Sequence, residues 1–210
     1  DGKPANPRTR SDSESLARLA DGSWLIGFER EHRIERFSSF TVTPMPLPMP
    51  TGLATLPRNE GIEALTALPT GEALAIADAS DPDPSHQAWL YNPQNQSWAA
   101  LSYQGAAGMK PTDLALLPNG DVLVLERGFS FFFNFTSRIA RITASDLVAG
   151  RTFAAKTVAM LESPMITENF EGITVLQRPS RQTVVLIVSD NNFNAAQQTI
   201  LAAFELGSAR

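Results

Sequence analysis

PTDLALLPNGDVLVLERGF, residues 111–129, carries two apolar runs on either side of Asn119-Gly120. A two-residue hairpin turn needs residues that tolerate positive φ, so Asn-Gly between alternating runs is a strong hairpin signal. Leu114 and Leu116, then Val122 and Val124, alternate with the period of two that a strand requires. Three other segments share this shape: residues 12–31 around Asp21-Gly22, residues 61–78 around Thr70-Gly71, and residues 169–193 around a longer turn at 178–182. In each an acidic residue precedes the first apolar run, and these acids (Glu14, Glu63, Asp113 and Glu171) are 49, 50 and 58 residues apart. A four-stranded propeller blade takes about 40–50 residues. The repeats therefore predict an all-β chain folded as a β-propeller, with about four blades' worth of sequence.

The outer strands are expected in the intervening stretches, at residues 32–40, 88–103, 137–142 and 199–205. Residues 144–149 can make one helical turn. The Pro-rich stretch 43–57 reads as an extended surface connection, because proline cannot serve a central strand. Residues 81–86, DPDPSH, read as a loop with His86 solvated. Five Phe fall within residues 129–135, which read as a strand buried on both faces between blades. Residues 1–210 are expected to form a single domain with a polar tail over 1–11. Propellers commonly close with more than four blades, so the intact protein is expected to be longer, with a further segment upstream.

Composition narrows the chemistry. The 210 residues contain no Cys and two His, and carry a formal net charge of −5. Thiolate nucleophiles, disulfides and Cys-ligated metals are excluded. An acidic chain without a basic face does not predict nucleic-acid binding, and no apolar run approaches the length of a membrane span. No G-x-S-x-G elbow and no Gly-rich phosphate loop occurs. Any general base is therefore expected to be a carboxylate.

Equivalent positions in successive blades place the leading acids near the start of the innermost strands, around one channel mouth. Carboxylates gathered there repel one another unless paired or bound to metal. Hard oxygen donors suit Ca²⁺ or Mg²⁺, so Glu14, Glu63, Asp113 and Glu171 are the candidate metal ligands. Asp113 is one residue out of step when the turn glycines are aligned. A second set follows the second apolar run: Glu29-Arg30, Glu126-Arg127 and Asp190-Asn191-Asn192. Arg30 and Arg127, with Asn191 and Asn192, can bind an anionic substrate. Adjacent residues face opposite ways, so one member of each Glu-Arg pair is expected toward the channel and the other between blades. Glu14, Glu63, Glu171 and Asp190 are the candidate catalytic carboxylates, with His32 as a further acid or base. The competing reading makes all these groups ion pairs between blades.

The run Asn169-Phe170-Glu171-Gly172-Ile173, with Val188 to Phe193 (VSDNNF) and the closing Phe204-Glu205-Leu206, resembles the bacterial phytase-like family, the esterase-like activity of phytase proteins. Ser13-Glu14-Ser15-Leu16, Phe28-Glu29-Arg30, Asn59 to Ala64 (NEGIEA) and Leu125-Glu126-Arg127 agree with it. The resemblance implies a β-propeller, an exported (periplasmic or secreted) protein, and a segment upstream of this chain. One position departs, with Asn191 where the family tends to carry a second Asp. The repeated acids together with the resemblance lead to the expectation of a hydrolase acting on a phosphoester or related ester, with a small-molecule ester or anionic ligand as partner; no nucleic-acid partner and a monomeric state are expected. The alternative is a non-catalytic envelope propeller that binds a small ligand, a polysaccharide or a protein.

Overall fold

Alternating apolar runs that flank tight turns fold into antiparallel hairpins, and here the hairpins assemble into four sheets. The computed structural model describes residues 11–78, 84–130 and 134–207. The first sheet contains β1 (Ser13–Arg18), β2 (Trp24–Phe28), β3 (Arg33–Phe37) and the short β4 (Met45–Pro46), in that order. The second contains β5 (Ile62–Ala67), β6 (Ala73–Ala77), β7 (Ser85–Asn92) and β8 (Ser97–Gln104). The third begins with β9 (Met109–Leu116), β10 (Val122–Ser130) and β11 (Asn134–Ile142). The chain then adds β12 (Thr152–Ala154) in parallel to β8 before β13 (Lys156–Leu161) completes the third sheet. The fourth contains β14 (Phe170–Gln177), β15 (Thr183–Ser189) and β16 (Leu201–Leu206). β1 packs beside β5, β5 beside β9, and β9 beside β14. The sheets stand in a ring, the arrangement of a four-bladed β-propeller.

Every inner hairpin closes on the same turn. The N–H groups of Leu19, Leu68, Leu117 and Arg178 each donate to the carbonyl four residues on, at 2.8–2.9 Å. The next-to-last residue of that turn takes positive φ: 84° at Gly22, 86° at Gly71, 91° at Gly120 and 63° at Arg181. The stretch at 178–182 is thus the same turn as the others, with an arginine held where glycine is at no steric cost.

Two-sided burial shapes the middle of the ring. On β6, Ala73, Ala75 and Ala77 join Leu25 and Ile34 in one core, while Leu74 and Ile76 join Val122 and Val124 in a second. On β10, Leu123 and Leu125 turn away from that second core into a third with Phe170, Ile173 and Ile187. The period of two seen in the sequence therefore divides each of these strands between two junctions. Among the described residues the junction of the fourth and first sheets holds no such core. A cleft of about 930 Å³ opens there, lined by β1, β9 and β14, and Leu16 and Val188 on its walls are 51% and 40% exposed.

Several local expectations need correction. Residues 88–103 form parts of two strands, β7 and β8, reversed at a turn with Gln96 at φ 52°. The helical turn shortens to a 3₁₀ turn at Ala144–Asp146. The Pro-rich connection is fastened rather than loose, since the indoles of Trp98 and Trp89 donate to the carbonyls of Pro48 and Thr51 at 2.8 and 2.9 Å. His86 is not solvated: it lies within β7, is buried, and stacks on Tyr103 with ring centroids 6.0 Å apart. Burial pushes its pKa below the usual imidazole value despite the nearby Asp78 and Glu126 carboxylates. Of the Phe-rich run, residues 131–133 lie outside the described residues. Phe135 is buried against Phe129, whose own side chain is largely exposed at the end of β10.

Leu25 is fully buried in the core shared by the first two sheets, whereas Leu16 faces the open cleft. Leu25→Ala is expected to cost roughly 2–5 kcal/mol, and Leu16→Ala to stay within about 0.5 kcal/mol. Urea unfolding of both variants measures the contrast.

Candidate functional site

A strand buried on both faces, as β5 is, has no room for a carboxylate, and the innermost strands share a bulge at this place. In β1 the ladder pairs Ser13 with Phe28 and then Ser15 with Gly27, leaving Glu14 as the extra residue. In β5 it pairs Ile62 with Ala77 and then Ala64 with Ile76, leaving Glu63. In β14 it pairs Phe170 with Ser189 and then Gly172 with Val188, leaving Glu171. A bulge breaks the pleat and re-aims its extra side chain. Each of these glutamates is thereby released from the core alternation at the equivalent place in its blade.

β9 carries the same bulge, but its extra residue is Thr112, between the Pro111–Glu126 and Asp113–Leu125 pairs. Asp113 falls one place later. Its Oδ2 accepts the Ile173 N–H and its Oδ1 accepts the Leu114 N–H, both at 2.8 Å. Burial raises its pKa to about 7 against the pull of those two donors. Both oxygens are thus engaged, Oδ2 in fastening the third sheet to the fourth and Oδ1 within β9 itself. The geometry makes Asp113 a strut, separate from the other three leading acids.

Glu171 acts on both Glu14 and Glu63, and Glu14 acts on Glu63. Burial, then Glu29, Asp12 and Glu171, push Glu14 up to about 7, with Arg30 opposing. Burial, then Glu14, Asp78, Glu29 and Glu171, push Glu63 up to about 8. Glu29 is raised by burial and then by Asp12. Only carboxylates gathered in one place shift each other in this way.

A second equivalent position follows the second strand of each blade. The N–H groups of Glu29, Asp78 and Asp190 donate to the carbonyls of Asp12, Gly61 and Asn169 at 2.9, 2.9 and 3.0 Å. In the third blade the pair at this place is Arg127 with Lys110. One blade therefore presents cations where the others present acids. Lys110 Nζ lies 2.8 Å from Asp78 Oδ1, and Arg127 Nη1 donates to Glu171 Oε1 at 2.5 Å and also to Asn169 Oδ1. Arg30, at φ 62°, turns its guanidinium onto Asp12.

The division expected of the Glu-Arg pairs is seen in the third blade, whereas Glu29 and Arg30 both stand beside Asp12 in the first. Arg127 meets Glu171, while Glu126 is fully buried between blades, accepting from Tyr103 Oη and Arg138 Nη1, both at 2.6 Å. Asp190 lines the cleft, and its Oδ1 accepts the Asn192 N–H at 3.0 Å. Asn191 and Asn192 brace the following loop, through the Phe193 N–H at 3.0 Å and the Gln197 side chain at 3.1 Å. His32 Nε2 stands 3.1 Å from the Pro57 carbonyl and 3.3 Å from that of Leu56, so that nitrogen is committed to the backbone. Asp12, Asp78, Lys110 and Asn169 are not among the site candidates that the sequence offers. For Asp12 and Asp78 the signal is the acid that opens or closes each repeat.

Oxygens of Asp12, Glu14 and Glu29 lie within 4.8 Å of one another, close enough to share a cation. Glu14 and Glu63, with pKa values near neutrality, suit proton transfer.

Residues 1–193 match the model of a family described as phytase-like, esterase-like activity of phytase. No curated protein matches the chain. Among solved structures, one assigned as a gluconolactonase aligns with 96% of the chain at 12% identity and a TM-score of 0.55. A Dyadobacter fermentans protein of unknown function aligns with 92% at 12% identity and a TM-score of 0.52. An endo-arabinase from Bacteroides thetaiotaomicron aligns with 99% of this chain and 79% of its own, at 11% identity and a TM-score of 0.58. At these identities the likeness is one of fold. The chain spans 63% and 65% of the length of the first two.

The raised carboxylates set the sign of a pH dependence. Between 4.5 and about 8 the native state keeps protons on Glu14 and Glu63 that the unfolded chain has released, so stability falls as pH rises across that window. Glu63→Gln is expected to flatten the fall and to leave the variant more stable than wild type at the upper end. Urea midpoints at the two ends of the window test this.

Proposed function

Because the chain belongs to the phytase-like family, the esterase-like activity of phytase proteins, we propose that it is an exported hydrolase of phosphoesters or related esters. The single observation that carries this reading is the convergence of Glu14, Glu63 and Glu171 on one mouth of the ring, with two of them titrating near neutrality. The aligned gluconolactonase-type and endo-arabinase propellers support a hydrolytic use of the fold. No helix of the described residues is long and apolar enough to cross a membrane.

Glu63, largely protonated at neutral pH, donates a proton to the leaving oxygen. Glu14, more readily ionised, accepts one from water. Arg127 holds Glu171 and Asn169 in place, and with Arg30 it offsets the charge of an anionic substrate. Asp190 completes the wall of the cleft. The donor set is all oxygen, which fits Ca²⁺ or Mg²⁺, and a bound cation would supply Lewis-acid polarisation of the ester.

Purified protein supplied with Ca²⁺ or Mg²⁺ is expected to turn over members of a panel of phosphomonoesters, phytate and short carboxylesters. Glu63→Gln is expected to lower kcat/KM by about 100-fold or more. Stabilisation by a panel member without any turnover would overturn this reading in favour of a binding propeller.

A further inference from the structure

We propose that the substrate is an ester of a long apolar acid or alcohol, whose chain lies in the open junction between the fourth and first sheets. The proposal rests on the hydrolase reading and names its substrate class. On β1, Glu14 stands at the mouth, and Leu16 and Arg18 follow on the face turned to the cleft, while Ser15 and Ala17 are buried behind them. The ladder sets Ile26 opposite Leu16 and Trp24 opposite Arg18. On the other wall Asp190 stands at the mouth and Val188 lies two places further in. Both walls thus change from acid to apolar in step. From Glu14 to Arg18 the cleft runs about 13 Å, at about 3.3 Å per residue.

The second observation is that these walls are built for burial. Leu16 lies two places past the bulge residue of its blade. Its counterparts are Leu65, Leu114 and Ile173, and each is buried in a core shared with the preceding sheet. Val188 lies two places before the residue that closes the second strand. Its counterparts Ile76 and Leu125 are fully buried in cores shared with the following sheet. Leu16 and Val188 hold the same places and stand open. At the far end Phe40, largely exposed, meets Trp24 with ring centroids 6.0 Å apart, and the Arg18 guanidinium lies 5.3 Å from the Trp24 ring.

Contiguous apolar walls left open to water mark a binding groove, and about 930 Å³ is the volume of a small-molecule site. The groove is continuous with the carboxylates of the mouth. Its occupant therefore has a polar end beside Glu14 and Asp190 and an apolar remainder along Leu16 and Val188. An ester with a long chain has this form. A polyphosphate does not fit it, because the lining holds the carboxylates of Glu14, Asp113, Glu171 and Asp190. Among the described residues the one cation of that lining is Arg18, at the apolar end. Arg127, at the mouth, is already held by Glu171 and Asn169.

The test reads binding and turnover separately. n-Butanol, n-hexanol and n-octanol are titrated into the protein and followed by amide chemical shifts. Affinity is expected to rise by about 4-fold per methylene. The double variant Leu16→Asn, Val188→Asn is expected to remove most of that gain, whereas Met45→Ser, exposed on the outer strand β4, leaves it unchanged. Circular dichroism reports whether the variants are folded, and Phe40→Ser serves if the double variant is not. With carboxylesters of increasing acyl length, kcat/KM is expected to rise with the chain in wild type and to flatten in the double variant. Binding that ignores chain length, or that the double variant leaves intact, would overturn the proposal. Self-association that the double variant abolishes, read by sedimentation, would give the groove to a second copy of the chain instead. Ester turnover without preference for longer chains would leave the hydrolase reading standing and this one refuted. Chain-dependent binding without turnover of any ester would refute the hydrolase reading and leave the groove as the seat of an apolar ligand.

Discussion

Successive residues of a strand face opposite ways, so a strand buried on both sides has no place for a charge. β5 is such a strand, with Ala64 and Leu65 on consecutive positions of one strand yet in different cores. The single extra residue of the bulge is what reconciles that packing with a functional surface. It lifts Glu63 out of the alternation without disturbing the apolar residues that follow, and it does so at the same place for Glu14 and Glu171. Core and mouth are thus two consequences of one backbone device, repeated around the ring.

The device also creates an electrostatic problem, which the blades answer unequally. The third blade carries Thr112 at the bulge and Lys110 and Arg127 beside it, and these two cations reach sideways to Asp78 and Glu171 on the adjacent blades. The first blade lies on the far side of the open cleft, and there, among the described residues, Arg30 pairs with Asp12 beside Glu14 and Glu29. The same side of the ring is where the apolar walls stand exposed.

The repeat, the inner hairpins and their turns were legible because each depends on local chemistry: alternation, an Asn-Gly or Asp-Gly turn, a following acid. What escaped depends on tertiary pairing. β13 is mostly exposed along its length and has no strong pattern, and β12 exists only because it meets the edge of β8. Arg181 hid a standard turn, since arginine seldom holds a glycine position. His86 was misjudged from its Pro-Asp neighbours, although the alternation of β7 carries it inward. In the site, Glu14, Glu63 and Glu171 could be found from spacing alone, while Asp113 needed the register. One residue separates a carboxylate at the mouth from one that ties two sheets together, and the turn glycines already pointed to Thr112.

The central claim is that three bulged strands gather their glutamates at one mouth closely enough to perturb each other. Side-chain carboxyl chemical shifts from carbon-13 NMR, followed against pH in cation-free protein, test it directly. The account predicts that Glu14 and Glu63 titrate near 7 and 8, and that Glu171→Gln lowers both. Independent titration of both groups at the ordinary carboxylate value, unmoved by that substitution, would contradict it.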